Sequence, residues 1–504
     1  MRLLVMAEPT EAGGVCKPRL RTVNRAQFVL RPMDIEEFIA EEHPARALWE
    51  FVGRLDLTKF HEPLKAVEGR AGQPGNDPQL MIALWLYAYS RGIGSAREVA
   101  RQCEYEPGFQ WLCALDPVNH HSLSDFRVDF QEALTELFTQ VLGVLSAEGL
   151  ITLERVAHDG TRIRACASAN TFRSEKTLRE HLELARQQVK EMGEPTQPPP
   201  SPRKAGAQKR AKQEREQKLA AALEQLEQVR QERRNDNRNE ARASETDPEA
   251  RVMKRSGGGF EPSYNVQIST DAAAGMIVGL QVTQSGADAP HLQPAIEILK
   301  ETFGKIPGQV LADGGYTSSE NIVALHSQTD FIGPLQVANE ARLEGQRKRY
   351  GVAKEFTADN FVFVGELNSF RCPAGQLLPY YKADHAAGGS ARRYKAKSNP
   401  CQACSFKPQC CPKTKVREIR VVDEGPEIIA FRTKMAEPEM IEIYKKRSQL
   451  AEFPNAWLKE KIGLRRFRVR GLRKVTLESL WAAMTYNIQQ WIRLKWRKPS
   501  PVLV

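Results

Sequence analysis

VLADGGYTSSEN, residues 310–321, is the stretch on which the reading of the fold turns. Val310 and Leu311 close a short apolar run of the kind that forms a buried strand. Gly314 and Gly315 punctuate it as a sharp turn, and Ser318 or Ser319 stands where a helix cap is expected. Asp313 then falls at the carboxyl end of a strand, the edge of an α/β sheet where ligands bind. Asp-Gly is also an ordinary turn dipeptide, so other carboxylates decide what Asp313 means.

Working outward, QVLAD is preceded by a helical stretch, HLQPAIEILKETFG, and by a hairpin in which SYNVQIST and MIVGLQVTQ flank the turn DAAAG. After it come a helix over SENIVALHSQ and a strand, DFIGPL. Upstream, ITLERVAHDGTRIRA (residues 151–165) predicts a strand with Asp159 near its middle. Between the two regions Leu178, Leu182, Ala185, Val189 and Met192 are spaced as a heptad seam. EPTQPPPSPR cannot continue a helix, and Leu219, Leu223 and Leu226 resume the seam, which predicts an antiparallel helical hairpin inserted into the surrounding domain. With the hairpin removed, the order is β, β, β, α, β, α, β. That is the order of an RNase H-like fold, whose first and fourth strands are neighbours, and Asp159 and Asp313 fall on those two.

The region before residue 150 reads as helical. PQLMIALWLYAYSRG predicts a buried helix, and SAREVARQCE, with Ser95 followed by Glu98, predicts a second with a capping box. Arg91-Gly92-Ile93-Gly94 joins them either as a helix-turn-helix that reads DNA or as a plain helical hairpin. A further helix is expected to follow HHSLSDFR and to run to Ala147. The 504 residues, 41% hydrophobic and 27% charged, suit a soluble chain of roughly three domains. No apolar run reaches the roughly 18 residues of a membrane span, and MRLLVM is too short for a signal-peptide core. No membrane partner is expected, and a cytoplasmic location is the default. The net charge of +11 favours a polyanion. From Lys445 to Lys498, fifteen Lys and Arg face only Glu452, Glu460 and Glu478, and RRFRVRGLRK interleaves them with apolar residues as a folded basic surface does.

The cysteines are uneven. Cys16, Cys103, Cys113 and Cys166 are scattered and read as small buried hydrophobes. Cys372, Cys401, Cys404, Cys410 and Cys411 crowd together, and Cys401-x-x-Cys404 is a spacing that lets two thiolates share a tetrahedral zinc. Cys372 and Cys410, or Cys411, would complete a structural site that holds a small insertion together.

Three stretches resemble the signature regions of the DDE transposases of bacterial insertion sequences: DGTRIRA with Asp159, ADGGYTSSEN with Asp313, and YKKRSQLAEFPNAWLK. The subgroup with a Tyr, Arg, Glu and Lys signature is the most similar. Tyr444 and Arg447 keep its two-residue gap, and Glu452 and Lys459 its six-residue gap. YNVQISTD, RCPAG with PCQACSFKPQC, and the N-terminal region through HSLSDFR resemble the same group. One spacing departs: four residues separate Arg447 from Glu452, where the signature has three. On a continuous helix this swings Glu452 by about 140° from Arg447, against about 40° for the shorter spacing. Pro454 predicts an interruption there, and a kink would restore convergence; Glu437, Glu439 and Glu442 are rival third carboxylates.

The resemblance implies an α/β, RNase H-like catalytic core interrupted by a helical-hairpin insertion and a Cys-rich insertion, with an all-α N-terminal domain. The expected boundaries are a tail over 1–33, helices over 34–150, core pieces over 151–170, 256–335 and 425–492, the hairpin over 171–255, the Cys-rich insertion over 336–424 and a basic tail over 493–504. Asp159, Asp313 and Glu452 would hold two Mg2+ (or Mn2+) ions about 4 Å apart. Tyr444, Arg447 and Lys459 would position phosphates, Arg447 with a bidentate fork and Lys459 as a point charge, and Arg465, Arg466, Arg468 and Arg470 would add to the DNA surface. Tyr380 or Tyr381 stands where relatives stack a flipped base. The activity implied is cleavage of the ends of a mobile element and joining to target DNA, by a homodimer on double-stranded DNA in the bacterial cytoplasm, associated with the nucleoid when bound. Two rivals stand beside it: an inactive or domesticated DNA-binding derivative, to which the displaced Glu452 points, and an RNase H-like nuclease without strand transfer.

Overall fold

The computed structural model describes residue 32 and residues 34–63, 74–191, 201–232, 241–255, 257–334, 340–384, 391–422 and 425–496. The expected N-terminal tail, most of the proline-rich break and the end of the basic tail lie outside them. Helices come first: α1 (Pro44–Gly53), α2 (Thr58–His61), α3 (Pro78–Ser90), α4 (Ala96–Tyr105), α5 (Pro107–Leu112), α6 (His120–Asp129) and α7 (Gln131–Ala147). In α3 Pro78 suits the first turn, and the Asp77 carboxylate accepts from the Gln79 amide at 2.8 Å. Apolar on every face, the helix is buried on every face from Met81 to Tyr89.

The helix expected after HHSLSDFR is α7, which ends at Ala147 as expected. HHSLSDFR is itself helical as well, forming α6, capped by the Asn119 side chain accepting from His121 N at 2.8 Å. Its polar surface hides it in the sequence, since Leu123 and Phe126 are its only buried apolar residues. Ser95 does not form a capping box. Its side chain makes no cap bond, and the Glu98 carboxylate that would reach back to it accepts instead from Arg101 at 2.6 Å and from Gln102 at 2.6 Å.

The middle of the chain alternates: β1 (Arg155–Arg164), β2 (Phe172–Arg173), α8 (Glu175–Lys190), α9 (Pro202–Glu232), β3 (Ala243–Ser244), β4 (Arg251–Lys254), β5 (Phe260–Asp271), β6 (Ile277–Thr283), α10 (Leu292–Phe303), β7 (Gln309–Ala312), α11 (Ser319–Leu325) and β8 (Asp330–Ile332). Leu178, Leu182 and Ala185 of α8 pack with Leu219, Ala222 and Leu226 of α9 in a small core of their own. The main sheet runs β4-β5-β1-β7-β8, with β6 also paired to β5. β4 and β6 are antiparallel to β5 and β5 to β1, whereas β1, β7 and β8 are mutually parallel. The strands carrying Asp159 and leading to Asp313 are therefore neighbours, as the element order predicts. Their ladder ends with His158 paired to Ala312, so each aspartate follows directly on the last pair.

A second sheet, β9 (Val362–Val364), β10 (Ser369–Arg371), β11 (Leu377–Asp384), β12 (Ala391–Lys395) and β13 (Glu418–Val422), follows α12 (Glu340–Tyr350) and frames the short helices α13 (Ser398–Gln402) and α14 (Lys407–Cys410). The chain returns through α15 (Pro426–Met435), α16 (Pro438–Lys445), α17 (Arg447–Glu460) and α18 (Leu472–Trp491). Pro454 does not interrupt α17. It removes only the hydrogen bond to the Leu450 carbonyl, and its ring is buried.

α18 joins the two halves. It lies between α3, α6 and α7 on one side and β6 on the other, and one apolar cluster runs from Phe51 and Trp85 through Trp481 and Met484 to Val266 and Ile277. Fully buried Asn487 secures the contact: its Oδ1 accepts from Ile277 N at 2.8 Å and its Nδ2 donates to Ile277 O at 2.8 Å. Among the described residues no helix is long and apolar enough to cross a membrane. Asn487→Ala leaves a buried N–H and C=O on β6 without partners and should lower stability by about 2–4 kcal/mol in urea unfolding; a loss below about 0.5 kcal/mol would show that the helix–strand contact does not depend on this amide.

Candidate active site

Adjacent parallel strand ends bring Asp159 and Asp313 together, and α17 closes over them. Arg447 Nη2 lies between the two carboxylates, 3.1 Å from Asp159 Oδ1 and 4.0 Å from Asp313 Oδ2. The other oxygen of Asp159 accepts from Asn455 Nδ2 at 3.0 Å, while Asp313 Oδ1 accepts from Gly315 N at 2.8 Å. The guanidinium side chain is 12% exposed, so its charge acts in a poorly solvated setting. Burial pushes the Asp159 carboxyl up from its ordinary 3.8 to about 6; Arg447 opposes the rise, and Asp313 and Asp288 add to it. Gly314 and Gly315 are not left-handed. The glycine at 315 answers a steric need instead, since a β-carbon there would lie 2.9 Å from Asp313 Oδ1.

Behind the pair, one face of β5 is polar and buried. Asn265, Gln267 and Ser269 alternate with Tyr264, Val266 and Ile268, and Gln267 lies opposite Gly160 of β1. Gln267 Oε1 accepts from Tyr316 Oη at 2.5 Å and from His158 Nε2 at 3.0 Å, and His158 Nδ1 accepts from the Ser269 hydroxyl at 2.9 Å. Burial lowers the His158 pKa to about 4, so the ring is neutral and supplies that single N–H. With its carbonyl fixed by two donors, Gln267 turns its amide toward Asp288 Oδ1 at 3.1 Å, and Asn265 Nδ2 reaches the same oxygen at 2.7 Å. Asp288, Gln267, Asn265 and Asn455 are absent from the site expected on sequence grounds. The legible signal for two of them is the polar alternation in YNVQIST.

Tyr444 is half-buried near Arg447 and both aspartates, and Lys459 is buried enough that its pKa falls, with Asp159 pulling it back. Glu452 is different. On unbroken α17 it is exposed and makes no hydrogen bond or ion pair among the described residues, whereas Asn455 of the same helix meets Asp159. Arg465, Arg466, Arg468 and Arg470 are exposed, while Phe467 and Val469 between them are buried. Phe467 N donates to Arg164 O at 2.9 Å and Arg468 N to buried Glu478 at 2.9 Å, so backbone bonds hold the basic strip against β1 and α18. Arg468 lies over Gly94 in the turn between α3 and α4. A cleft of about 540 Å3 begins at Gly160 and Asp288 and is flanked by Arg162, Lys254, Lys459 and Arg465.

Cys372, Cys401, Cys404, Cys410 and Cys411 line a cavity of about 30 Å3 in the second sheet's core. Cys401 Sγ and Cys411 Sγ are 4.0 Å apart, and Cys401 and Cys372 accept backbone N–H groups from Arg417 and Gln376 at 3.3 Å each. Tyr380 and Tyr381 are exposed on β11, with Lys395 Nζ 4.6 Å over the Tyr381 ring. Among the described residues no three or more His, Cys, Asp or Glu stand close enough, as placed, to hold a metal ion.

Residues 371–492 match the transposase DDE domain family, and residues 33–129 match the transposase domain family DUF772. The chain is a DDE transposase of the insertion-sequence type. The DDE match takes in α17, α18 and the basic strip but begins after Asp159 and Asp313, and the transposase's signature subgroup is not distinguished by it. A piggyBac transposase synaptic complex with hairpin DNA aligns over 92% of this chain and 83% of its own, at 8% identity and a TM-score of 0.27, a superposition too loose to bear on the site. No curated protein matches the transposase.

The Asp159 shift has a consequence for stability. Between pH 3.8 and about 6 the folded chain keeps a proton that the unfolded chain has lost, so this contribution is present at low pH and disappears as pH rises through the window. In EDTA, wild-type stability should therefore fall relative to Asp159→Asn from pH 4 to 6, by up to about 3 kcal/mol. A difference that stays constant across the window would show Asp159 titrating near its ordinary value.

Proposed function

We propose that this transposase binds the ends of its mobile element, cleaves them by metal-dependent phosphoryl transfer and joins them to target DNA, with Asp159 and Asp313 as the carboxylates of the cation site. The observation that carries the reading is the juxtaposition of these two residues at paired parallel strand ends, with a cationic side chain between them. The donor set suits a hard divalent cation such as Mg2+ or Mn2+, which takes oxygen ligands. The buried Asn455 Oδ1, without a hydrogen-bond partner beside Asp159, adds a further oxygen. When bound, such ions polarise a phosphoryl oxygen and lower the pKa of an attacking water or 3′-hydroxyl.

The chain's own residues do the rest. Arg447, released from the carboxylates, offers a planar fork to a phosphate, and Lys459 contributes a point charge at the cleft wall. Tyr444 flanks Arg447 and orients it. Glu452 is the signature's third carboxylate and would join the pair from α17, three residues before Asn455, which meets Asp159. The Arg465, Arg466, Arg468 and Arg470 strip and the 540 Å3 cleft follow a phosphate backbone away from the cut. In this reading the main sheet is an RNase H-like core, the α8–α9 pair and the second sheet are its two insertions, and a homodimer brings two double-stranded ends together in the bacterial cytoplasm.

A plasmid carrying the element's ends tests this directly. Purified protein with Mg2+ should cut at both ends and yield joined products, and Asp313→Asn should lower cleavage by at least about a thousandfold while binding the ends undiminished. Uncut plasmid with end binding in both proteins would favour the inactive DNA-binding reading, and cuts without joining would favour a nuclease. For the cysteine cavity, the proposed site holds one structural zinc through Cys372, Cys401, Cys404 and Cys410. Purified protein should contain about one equivalent of zinc by mass spectrometry, reduced in Cys401→Ser; metal-free protein with an intact second sheet would sink the assignment.

A further inference from the structure

We infer that Asp288 is a further ligand of the cation that Asp159 and Asp313 hold, an inference that rests on reading that pair as the metal site. Asp288 comes from the loop after β6, a different part of the chain from the other carboxylates. Its Oδ1 is anchored by two amides, Asn265 Nδ2 and Gln267 Nε2. Its Oδ2 makes no hydrogen bond among the described residues and lies 3.7 Å from the point where a β-carbon at Gly315 would stand. Asp313 Oδ1 is 2.9 Å from that same point. On the other side, Asp288 Oδ1 is 2.7 Å from the β-carbon position of Gly160, the residue after Asp159. Asp288 thus spans the two glycines that neighbour the aspartate pair, with one oxygen tethered and the other free. Side chains at 160 or 315 would fill the space between the three carboxylates.

A separate observation points to a ligand in that space. Asn265 is fully buried and spends both amide hydrogens on Ser285 O and Asp288, and its Oδ1, with no partner, lies 3.0 Å from the Gly160 β-carbon position. Asn455 Oδ1, on the Asp159 side, is likewise buried and without a partner. Two orphaned acceptors beside three carboxylates are what a hydrated divalent ion satisfies, since the ion binds carboxylate oxygen and its water ligands donate to the amide oxygens. Arg447 holds the place of that positive charge between Asp159 and Asp313.

Asp288→Asn is a suitable probe because it keeps the Oδ1 acceptor for Asn265 and Gln267 and changes only Oδ2. Mn2+ binding to the full-length protein, followed by the electron paramagnetic resonance of free Mn2+, would be compared for wild type, Asp288→Asn and Asp313→Asn. The expected result is an affinity loss of about tenfold or more in both variants, with melting temperatures in EDTA within a degree or two of wild type. Asp288→Cys should in addition cut end DNA poorly with Mg2+ and recover with Mn2+, because sulfur is a poor ligand for the harder ion. Wild-type Mn2+ affinity in Asp288→Asn, with loss in Asp313→Asn, would overturn the assignment of Asp288 and leave the pair intact. Wild-type affinity in both would overturn the reading of the pair itself.

Discussion

Two carboxylates at the ends of adjacent parallel strands repel each other across a site that water reaches mainly from the Asp313 side, Asp159 being 18% and Asp313 42% exposed, and the site is arranged around that repulsion. Arg447 supplies the compensating charge, and it arrives on a helix that docks across the strand ends, so the electrostatics of the pair and the packing of α17 are one problem. Asn455 adds a donor to Asp159 from the next turns of the same helix, and Lys459 follows. On the far side, buried amides on β5 hold Asp288 from moving away. The positive charge is as structural as any apolar contact: remove it without replacement and the strand ends must part, take up protons or take up a metal.

The adjacency of the strands was legible because it follows from element order. A hairpin, a third strand and alternating helices leave few ways to pair a right-handed parallel connection, and QVLAD carries its own boundary in Asp313. What the sequence concealed depends on angles and on side-chain reach. Pro454 reads as a helix breaker, yet one missing hydrogen bond inside a packed helix is tolerated, and the consequence is that the five-residue spacing keeps Glu452 turned outward from Arg447. HHSLSDFR reads as a polar lead-in because its helix has few apolar residues to announce it. Asp288 was invisible for a plainer reason. It sits in SGADAPH, a stretch with the composition of any loop, and only the two amides that grip it distinguish it from a surface acid.

The cysteine-rich sheet and the α8–α9 pair each keep a small core separate from the main cluster. The N-terminal helices do not. Phe51, Trp85 and Leu137 share one continuous apolar cluster with the sheet and α18, and the Arg468 side chain crosses from the basic strip to the α3–α4 turn. Whatever the N-terminal helices touch is thereby mechanically connected to the strip that leads to the carboxylates.

The position of α18 sets an order on how the molecule is made. Residues 472–491 are the filling between helices α1–α7 and the sheet that follows them in the chain, and Asn487 closes the β6 edge. Until that last stretch has emerged, the N-terminal bundle and the sheet both present unfilled apolar faces, and the two halves have no shared core. A chain that stops short of α18 therefore leaves the N-terminal helices and the sheet without a common core, as two apolar surfaces that chaperones and proteases recognise.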